Sequence, residues 1–122
     1  MIVAFIGFGE AGLAIAESLG QSAVATLSLR AFDIKLADEN DGMAETMLAR
    51  MSDAGVTPCD TAQGAVSGAG IVISVVTADQ AANAAGSAAR HLAKDALYLD
   101  MNSCAPTTKQ MAASSVERAG AT

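Results

Sequence analysis

The sequence predicts an α/β fold, in which a doubly wound parallel β-sheet of about five strands is covered by helices on both faces, in three αβα layers. Five short apolar runs alternate with segments whose apolar residues recur at helical spacing. The first and fourth runs, 2–6 and 71–76, are almost continuously apolar, as strands covered on both faces must be. Alternating strands and helices imply right-handed βαβ units and therefore parallel pairing.

The elements follow one another without an internal repeat or an inter-domain linker. Strands are predicted at 2–6, 26–32, 56–59, 71–76 and 96–101, and helices at 11–19, 43–51, 60–66, 81–94 and 107–118. Pro58 cannot donate a ladder hydrogen bond, so the third strand is expected at a sheet edge. Asp60 or Thr61 is the expected N-cap of the third helix, and Pro106 suits the first turn of the last. Segment 37–42 is predicted to be a polar loop, and 20–22 to end the first helix.

Composition narrows the functional classes. The 122 residues suit one domain, and 52% hydrophobic with 16% charged residues indicates a well-buried chain rather than a disordered one. A net charge of −6 without a Lys/Arg cluster argues against nucleic acid. No run approaches the roughly 20 apolar residues of a membrane span, and the N-terminal run makes a poor signal peptide. Cys59 and Cys104 are interpreted as reduced thiols, so we predict a cytoplasmic protein with no membrane partner.

The first twelve residues, MIVAFIGFGEAG, carry the strongest functional signal. Gly7, Gly9 and Gly12 have the spacing G-x-G-x-x-G between a predicted strand and a predicted helix, the context that the Rossmann-type dinucleotide-binding fingerprint requires. Gly7 would turn the chain, Gly9 would admit a pyrophosphate, and Gly12 would bring the helix close to the strand. The N–H groups of the first helical turn would attract the phosphates, and Glu10 is expected to face solvent. The predicted cofactor-binding residues here are Gly7, Phe8, Gly9, Glu10, Ala11 and Gly12.

Asp33 extends this predicted site. It lies 21 residues beyond Gly12, at the end of the second predicted strand, where a carboxylate would accept hydrogen bonds from the adenosine ribose and repel a 2′-phosphate. Asp33 therefore favours NAD over NADP, while Lys35 and the nearby Arg30 oppose that preference. The alternative is that Asp33 is an ordinary loop acid.

Polar residues also follow the fourth and fifth predicted strands. The carboxyl ends of parallel strands share one sheet edge, so Thr77 and the pair Asn102–Ser103 should lie near the glycine turn. A ligand-binding role and helix capping are equally plausible for Thr77. His91, the sole histidine, is expected on a helix surface away from this edge, and Cys104 is expected to be a small half-buried residue. No metal site is predicted.

These residues together resemble the β-hydroxyacid dehydrogenase family, which includes 6-phosphogluconate and 3-hydroxyisobutyrate dehydrogenases. The resemblance lies in the turn 6–12, the strand end 75–77, and the segment 99–106, which is similar to the family's D-x-S/N-S-x-x-P turn. It spans the chain as the family's N-terminal half, and it implies NAD(P)-dependent oxidation of a 3-hydroxy acid or reduction of a related carbonyl or imine. It further implies roles for three groups of residues: Gly7, Gly9 and Gly12 at the pyrophosphate, Asp33 and Thr77 at the ribose and ribose-phosphate, and Asn102 and Ser103 on the nicotinamide and substrate side.

The resemblance also implies what these 122 residues lack. The family's substrate-binding glycine motif and catalytic lysine lie further along, in later segments and an all-helical second domain that forms the dimer. Lys94 and Lys109 do not match the setting of that lysine, so no catalytic residue is assigned here. We expect a dinucleotide-binding domain that is inactive alone, with a sheet edge left exposed by a missing sixth strand.

Two other functions remain open from the sequence. One is a stand-alone nucleotide-binding regulatory module. The other is an S-adenosylmethionine-dependent methyltransferase, which also uses a glycine-rich first turn and an acid at the end of the second strand. Gly12 argues against the methyltransferase, because it serves close helix packing near a pyrophosphate.

Overall fold

The computed structural model describes residues 1–21, 26–37 and 42–122 of the protein. Its strands are β1 (Ile2–Ile6), β2 (Ser28–Phe32), β3 (Val56–Pro58), β4 (Ile71–Ser74) and β5 (Leu97–Asp100). Its helices are α1 (Glu10–Gln21), α2 (Met43–Asp53), α3 (Ala62–Val66), α4 (Ala81–Ala89) and α5 (Pro106–Arg118), with short 3-10 turns at Ile34–Ala37 and Ala78–Gln80. All strand pairs are parallel, in the order β3–β2–β1–β4–β5. The predicted doubly wound fold is confirmed, with β3 at the expected edge.

The central strand β1 supplies two cores, one on each face of the sheet, because successive side chains of a strand point to opposite faces. Val3 and Phe5 pack in the core that also holds Met51 of α2. Ala4 and Ile6 pack in the opposite core, with side chains from α3 and α4. Because both faces of β1 are covered, the first apolar run does not alternate with polar residues. The carboxyl end of β1 lies between two layers of helices.

The fourth helix is shorter than predicted. The Ala-rich pattern predicted a helix at 81–94, but α4 ends at Ala89 and the chain turns back over 90–95. The His91 N–H donates to Ala88 O at 2.9 Å, and Asp95 has a left-handed backbone with φ of 65°. Leu92 packs in two apolar clusters beyond the helix end. Tertiary packing therefore outweighs local helix propensity here.

The ends of other elements also differ from the prediction. Strand β4 stops at Ser74 rather than residue 76, although the Val75 N–H still donates to Ile6 O at 2.9 Å. Helix α3 begins at Ala62 with Thr61 as its N-cap, whose Oγ1 accepts the Gly64 N–H at 3.0 Å. Pro106 begins α5 as expected. The predicted loop at 37–42 falls largely on residues 38–41, which lie outside the described residues. The helix stop predicted at 20–22 is not seen at its first two residues, because α1 continues to Gln21, and residue 22 lies outside the described residues.

The outer edge of β5 is partly paired. The Thr122 N–H donates to Ala96 O at 2.9 Å, and the Tyr98 N–H donates to Thr122 O at 2.9 Å. This pair of bonds is a parallel bridge between Thr122 and Leu97, so the expected exposed edge is covered at its start. Across residues 1–21, 26–37 and 42–122, no helix has both the length and the apolar character needed to cross a bilayer.

Two residues of helix α2 test which face of the helix packs against the sheet. Met51 is fully buried, whereas Leu48 on the same helix is 43% exposed. We expect Met51→Ala to lower the free energy of unfolding by about 2–5 kcal/mol, because it leaves a cavity between α2 and the sheet. Leu48→Ala should change that free energy by only about 0.5 kcal/mol. Denaturant unfolding of both variants measures this, and equal losses would contradict the assigned packing.

Candidate cofactor-binding site

The glycine turn between β1 and α1 is held in a conformation that only glycine fits. Gly7 has φ of 91°, and a Cβ placed on it would lie 2.3 Å from Val75 O. The Gly7 N–H donates to Phe32 O at 2.8 Å, which ties the turn to β2. A Cβ on Gly12 would lie 3.1 Å from Gly7 O, so α1 starts close against the turn. Gly7 and Gly12 thus have the packing roles predicted for them.

Gly9 differs from both, because among the described residues, its chain neighbours apart, no heavy atom would lie within 4 Å of a Cβ placed on it. It lies at the mouth of a cleft above the carboxyl edge of the sheet. Glu10 and Ala11 begin α1 there and are exposed, as was expected for Glu10. Glycine is therefore not required at this position by protein packing, and its backbone is open to the cleft that it lines.

Phe8 lies beneath the turn rather than at the cleft. Its ring is fully buried and packs edge to face on Phe5, with ring centroids 5.6 Å apart. Its N–H donates to Asp33 Oδ2 at 2.7 Å, so this backbone group is already paired within the protein. Of the residues predicted in the turn to bind the cofactor, Phe8 and Gly12 do not line the cleft.

Asp33 holds the turn from the β2 side. Its side chain is buried, with 8% exposed, and its two oxygens accept the N–H groups of Phe8 and Lys35 at 2.7 and 2.9 Å. Charge-assisted bonds of this kind are stronger than neutral ones. Each carboxylate oxygen retains a further lone pair, and Asp33 also lines the cleft. The sequence predicted a ligand-facing acid and did not predict this structural role.

The cleft has a volume of about 390 Å³. Apolar side chains from the sheet and the nearby helices form its floor: Ile6, Phe32, Ala62, Val75, Val76 and Ala84. Polar side chains from the 3-10 turn and α4 form one wall: Gln80, Asn83 and Ser87. This wall was not predicted, although these polar residues recur at helical spacing within an Ala-rich segment that follows a strand end.

The two cations considered near Asp33 lie in different places. The Arg30 guanidinium donates to Ser67 O at 2.9 Å and to Gly64 O at 3.5 Å, near the end of α3. It is absent from the cleft lining, whereas Lys35 is exposed and lines the cleft. Of the two cations that argued against a preference for NAD over NADP, only Lys35 therefore lies at the cleft.

Thr77 follows β4 and lines the cleft. It occupies the N-cap position of the 3-10 turn, but its side chain caps no backbone N–H. The Thr77 hydroxyl lowers the pKa of the exposed Asp79 carboxyl by hydrogen bonding. The predicted capping role is therefore not seen, and the hydroxyl is instead bonded to the Asp79 carboxyl. The ligand-binding role of Thr77 stays a prediction.

Asn102 and Ser103 are separated by the structure. Asn102 is 6% exposed, and its Oδ1 accepts the Val76 N–H at 2.7 Å while its Nδ2 donates to Ser74 Oγ at 3.0 Å. Ser103 is exposed, and neither side chain caps α5, whose N-cap is Ala105. The amide oxygen and the amide nitrogen of Asn102 are thus both hydrogen-bonded within the protein, and neither Asn102 nor Ser103 lines the cleft.

The remaining candidates lie away from the cleft. His91 is not among the cleft-lining residues, as expected, but it is half-buried in the turn after α4 and does not lie on a helix surface. Cys104 is half-buried and has a free thiol, like Cys59, whose pKa is raised by burial. Among the described residues, no group of three His, Cys, Asp or Glu side chains is arranged to hold a metal ion.

The two glycines of the turn should respond differently to alanine. Gly7→Ala combines a clash with the Val75 carbonyl and a left-handed backbone, which cost about 1–3 kcal/mol each. Gly9→Ala adds a methyl group to open space and should change the free energy of unfolding by only about 0.5 kcal/mol. Thermal or urea unfolding compares them, and a Gly9→Ala variant as unstable as Gly7→Ala would contradict this geometry.

Solved structures similar to this chain are longer proteins. A conserved hypothetical protein from Sinorhizobium meliloti is 35% identical with a TM-score of 0.89, and the match covers 100% of this chain and 39% of that one. The 3-hydroxyisobutyrate dehydrogenase of Mycobacterium tuberculosis matches with a TM-score of 0.80 at 21% identity, covering 98% of this chain and 38% of that one. The 3-hydroxyisobutyrate dehydrogenase of Salmonella typhimurium has a TM-score of 0.70 at 17% identity, covering 99% and 39%.

The chain therefore spans about two fifths of the length of these proteins. The two matches below 25% identity show a shared fold. No curated protein sequence matches the chain. The family described as the NAD binding domain of 6-phosphogluconate dehydrogenase matches residues 2–122, which include the glycine turn, Asp33, Thr77 and the turn after β5. The chain belongs to this family of NAD-binding domains.

Proposed function

We propose that this chain is the cofactor-binding part of an NAD(P)-dependent oxidoreductase that acts on a 3-hydroxy acid or a related substrate. The observation that carries the proposal is the open backbone of Gly9 in the lining of the cleft. Asp33 and Thr77 line the same cleft. A dinucleotide needs this combination, because its pyrophosphate must approach the turn closely while its ribose meets polar groups.

The residues present fit a nicotinamide dinucleotide. The N–H groups at the start of α1, from Gly9 to Ala11, would hold the pyrophosphate. Asp33 would accept from the adenosine ribose, Thr77 would hold the ribose-phosphate side, and the exposed Ser103 would serve the nicotinamide and substrate side. When bound, the nicotinamide would supply the hydride acceptor or donor. The negative net charge does not oppose this, because the backbone and the helix end provide local positive potential.

The proposed substrate class and oligomeric state are inferred from the similar solved structures. Two of the similar structures are 3-hydroxyisobutyrate dehydrogenases, and each is much longer than this chain. We infer that the substrate-binding and catalytic groups, including a catalytic lysine, lie in a helical domain outside these 122 residues, and that this domain forms a homodimer. The 122 residues alone should then bind cofactor without turnover. The free thiols of Cys59 and Cys104 fit the proposed cytoplasmic location.

The geometry supports NAD as the preferred cofactor. A 2′-phosphate at the ribose would face the carboxylate of Asp33, and Arg30 is bonded to α3 carbonyls instead of facing the cleft. Lys35 remains as an opposing charge, but it is exposed and therefore screened by solvent. The carboxylate is held in place by two backbone N–H groups, so it cannot easily turn away from a ligand.

The alternative functions have less support. The family match favours a nicotinamide dinucleotide over S-adenosylmethionine. A regulatory module would bind the same cofactor without contributing to chemistry, and no observation on the site favours it.

Calorimetric titration with NADH and NADPH tests the proposal. The wild-type chain should bind at least one of them and show no dehydrogenase turnover by itself. Gly9→Val should abolish binding, because its side chain would fill the space above the turn, while its circular dichroism spectrum and melting temperature stay close to wild type. S-adenosylmethionine should give no thermal shift. A folded wild-type sample that binds neither cofactor at millimolar concentration would refute the proposal.

The cofactor preference has its own test. The wild-type chain should bind NADH about tenfold more tightly than NADPH, which corresponds to ~1.4 kcal/mol. Asp33→Asn removes the repelling charge and should reduce this ratio, whereas Lys35→Ala removes the opposing cation and should increase it. The two variants therefore form a matched pair, read by the ratio of dissociation constants. A ratio that moves in the same direction in both variants would contradict the proposed electrostatics.

A further inference from the structure

The glycine turn rests directly on the peptide that joins Val75 to Val76. A Cβ on Gly7 would lie 2.3 Å from Val75 O, 2.9 Å from Val75 C and 2.9 Å from Val76 Cγ1. The carbonyl and the N–H of a planar trans peptide point in opposite directions. The carbonyl of this peptide therefore faces the turn, and its N–H, which belongs to Val76, points away from it. Any tilt of this peptide would move the surface on which Gly7 lies.

The Val76 N–H lies beyond the last ladder bond of β4. The preceding N–H, from Val75, still donates to Ile6 O at 2.9 Å, but the Val76 N–H donates to Asn102 Oδ1 at 2.7 Å. This contact also assigns the orientation of the amide, because an N–H can be accepted only by its oxygen. The amide nitrogen of Asn102 then donates to Ser74 Oγ at 3.0 Å within the buried interior.

The backbone of Asn102 is held by Asp100, which is in turn held by Lys109. Its backbone N–H donates to Asp100 Oδ1 at 2.9 Å, which is an Asx-type turn at the end of β5. Lys109 of α5 lies 3.1 Å from the same carboxylate oxygen and donates to Asp100 O at 3.0 Å. The network therefore runs from α5 through the end of β5 to the end of β4, and its last member is the Val76 N–H.

We propose that Asn102 is a positioning residue for the glycine turn, which it orients through the Val75–Val76 peptide without touching the cofactor. The proposal rests on the cofactor-binding function inferred above. Asn102 is buried and is absent from the cleft lining, whereas Val75, Val76 and Gly7 all line the cleft. Asp33 holds the turn from the β2 side, and Asn102 supports its base from the β4 side.

Asn102→Ala tests this positioning role by removing the acceptor of the Val76 N–H. Hydrogen exchange at the Val76 amide should accelerate by about tenfold, while the Val75 amide stays protected by its bond to Ile6. The amide resonance of Gly7 should shift. The dissociation constant for NADH should rise about tenfold, which is the effect expected from the loss of about one hydrogen bond that orients the turn.

Val116→Ala is the matched control for stability. Val116 is 3% exposed and packs in a core cluster between α4 and α5 that contains neither Val75 nor Val76. This variant should lower the melting temperature and leave the dissociation constant for NADH within about twofold of wild type. Equal losses of affinity in Asn102→Ala and Val116→Ala would show that affinity follows global stability, which would overturn the proposal.

Ser74→Ala keeps the proposal testable if Asn102→Ala does not fold. It removes the partner of the Asn102 amide nitrogen and should weaken NADH binding in the same direction by about threefold. An unchanged affinity in Ser74→Ala together with an unchanged Gly7 resonance would overturn the positioning role. If the wild-type chain binds neither NADH nor NADPH, the cofactor-binding function fails, while the exchange and resonance measurements still decide whether Asn102 orients the turn.

Discussion

The contact between Gly7 and the Val75 carbonyl is the constraint on which the cleft depends. It brings the end of β1 so close to the end of β4 that no side chain fits between them. The same closeness places α1 against the turn through Gly12 and leaves Gly9 facing outward. A cleft at the carboxyl edge of a parallel sheet exists in many α/β proteins. Here its shape is set by one peptide and one glycine that must pack against each other.

Buried polar side chains maintain this contact from both sides. Asp33 accepts two backbone N–H groups beyond β2, and Asn102 accepts one beyond β4. Both side chains are nearly inaccessible to solvent. A backbone N–H that leaves a strand ladder inside a protein needs an acceptor, because an unpaired buried donor is costly. The two polar residues therefore supply acceptors for the N–H groups of Phe8, Lys35 and Val76, which follow the strand ends at the cleft.

The charged side chains fall into two groups, those bonded to partners within the protein and those exposed at the cleft. Arg30 is bonded to carbonyl groups near the end of α3, and Lys109 is paired with Asp100 beside β5, so both cations have structural partners. Lys35 and Glu10 remain exposed at the cleft. An acidic chain can hold an anionic ligand in this arrangement, because the groups that would attract phosphates are backbone N–H groups at the start of α1.

Local signals predicted the layers and most of the elements well. The apolar runs at β1 and β4 identified internal strands, Pro58 identified an edge strand, and the glycine spacing identified the turn. The same kind of signal failed at 90–94, where an Ala-rich pattern continued beyond the end of α4. Helix propensity is a property of neighbouring residues, and it contains no information about the packing of Leu92 against other elements.

The sequence by itself determined the parallel α/β fold, the position of the glycine turn and the acid at the end of β2, because these depend on periodicity, spacing and turn chemistry. Only the tertiary structure decided which polar groups face the cleft. It turned Phe8 and Asn102 inward, bonded Arg30 to α3, and added a polar wall from α4. The physical reason is that a side chain's direction depends on partners that are distant in sequence. The Phe8 and Val76 N–H groups hold the side chains of Asp33 and Asn102.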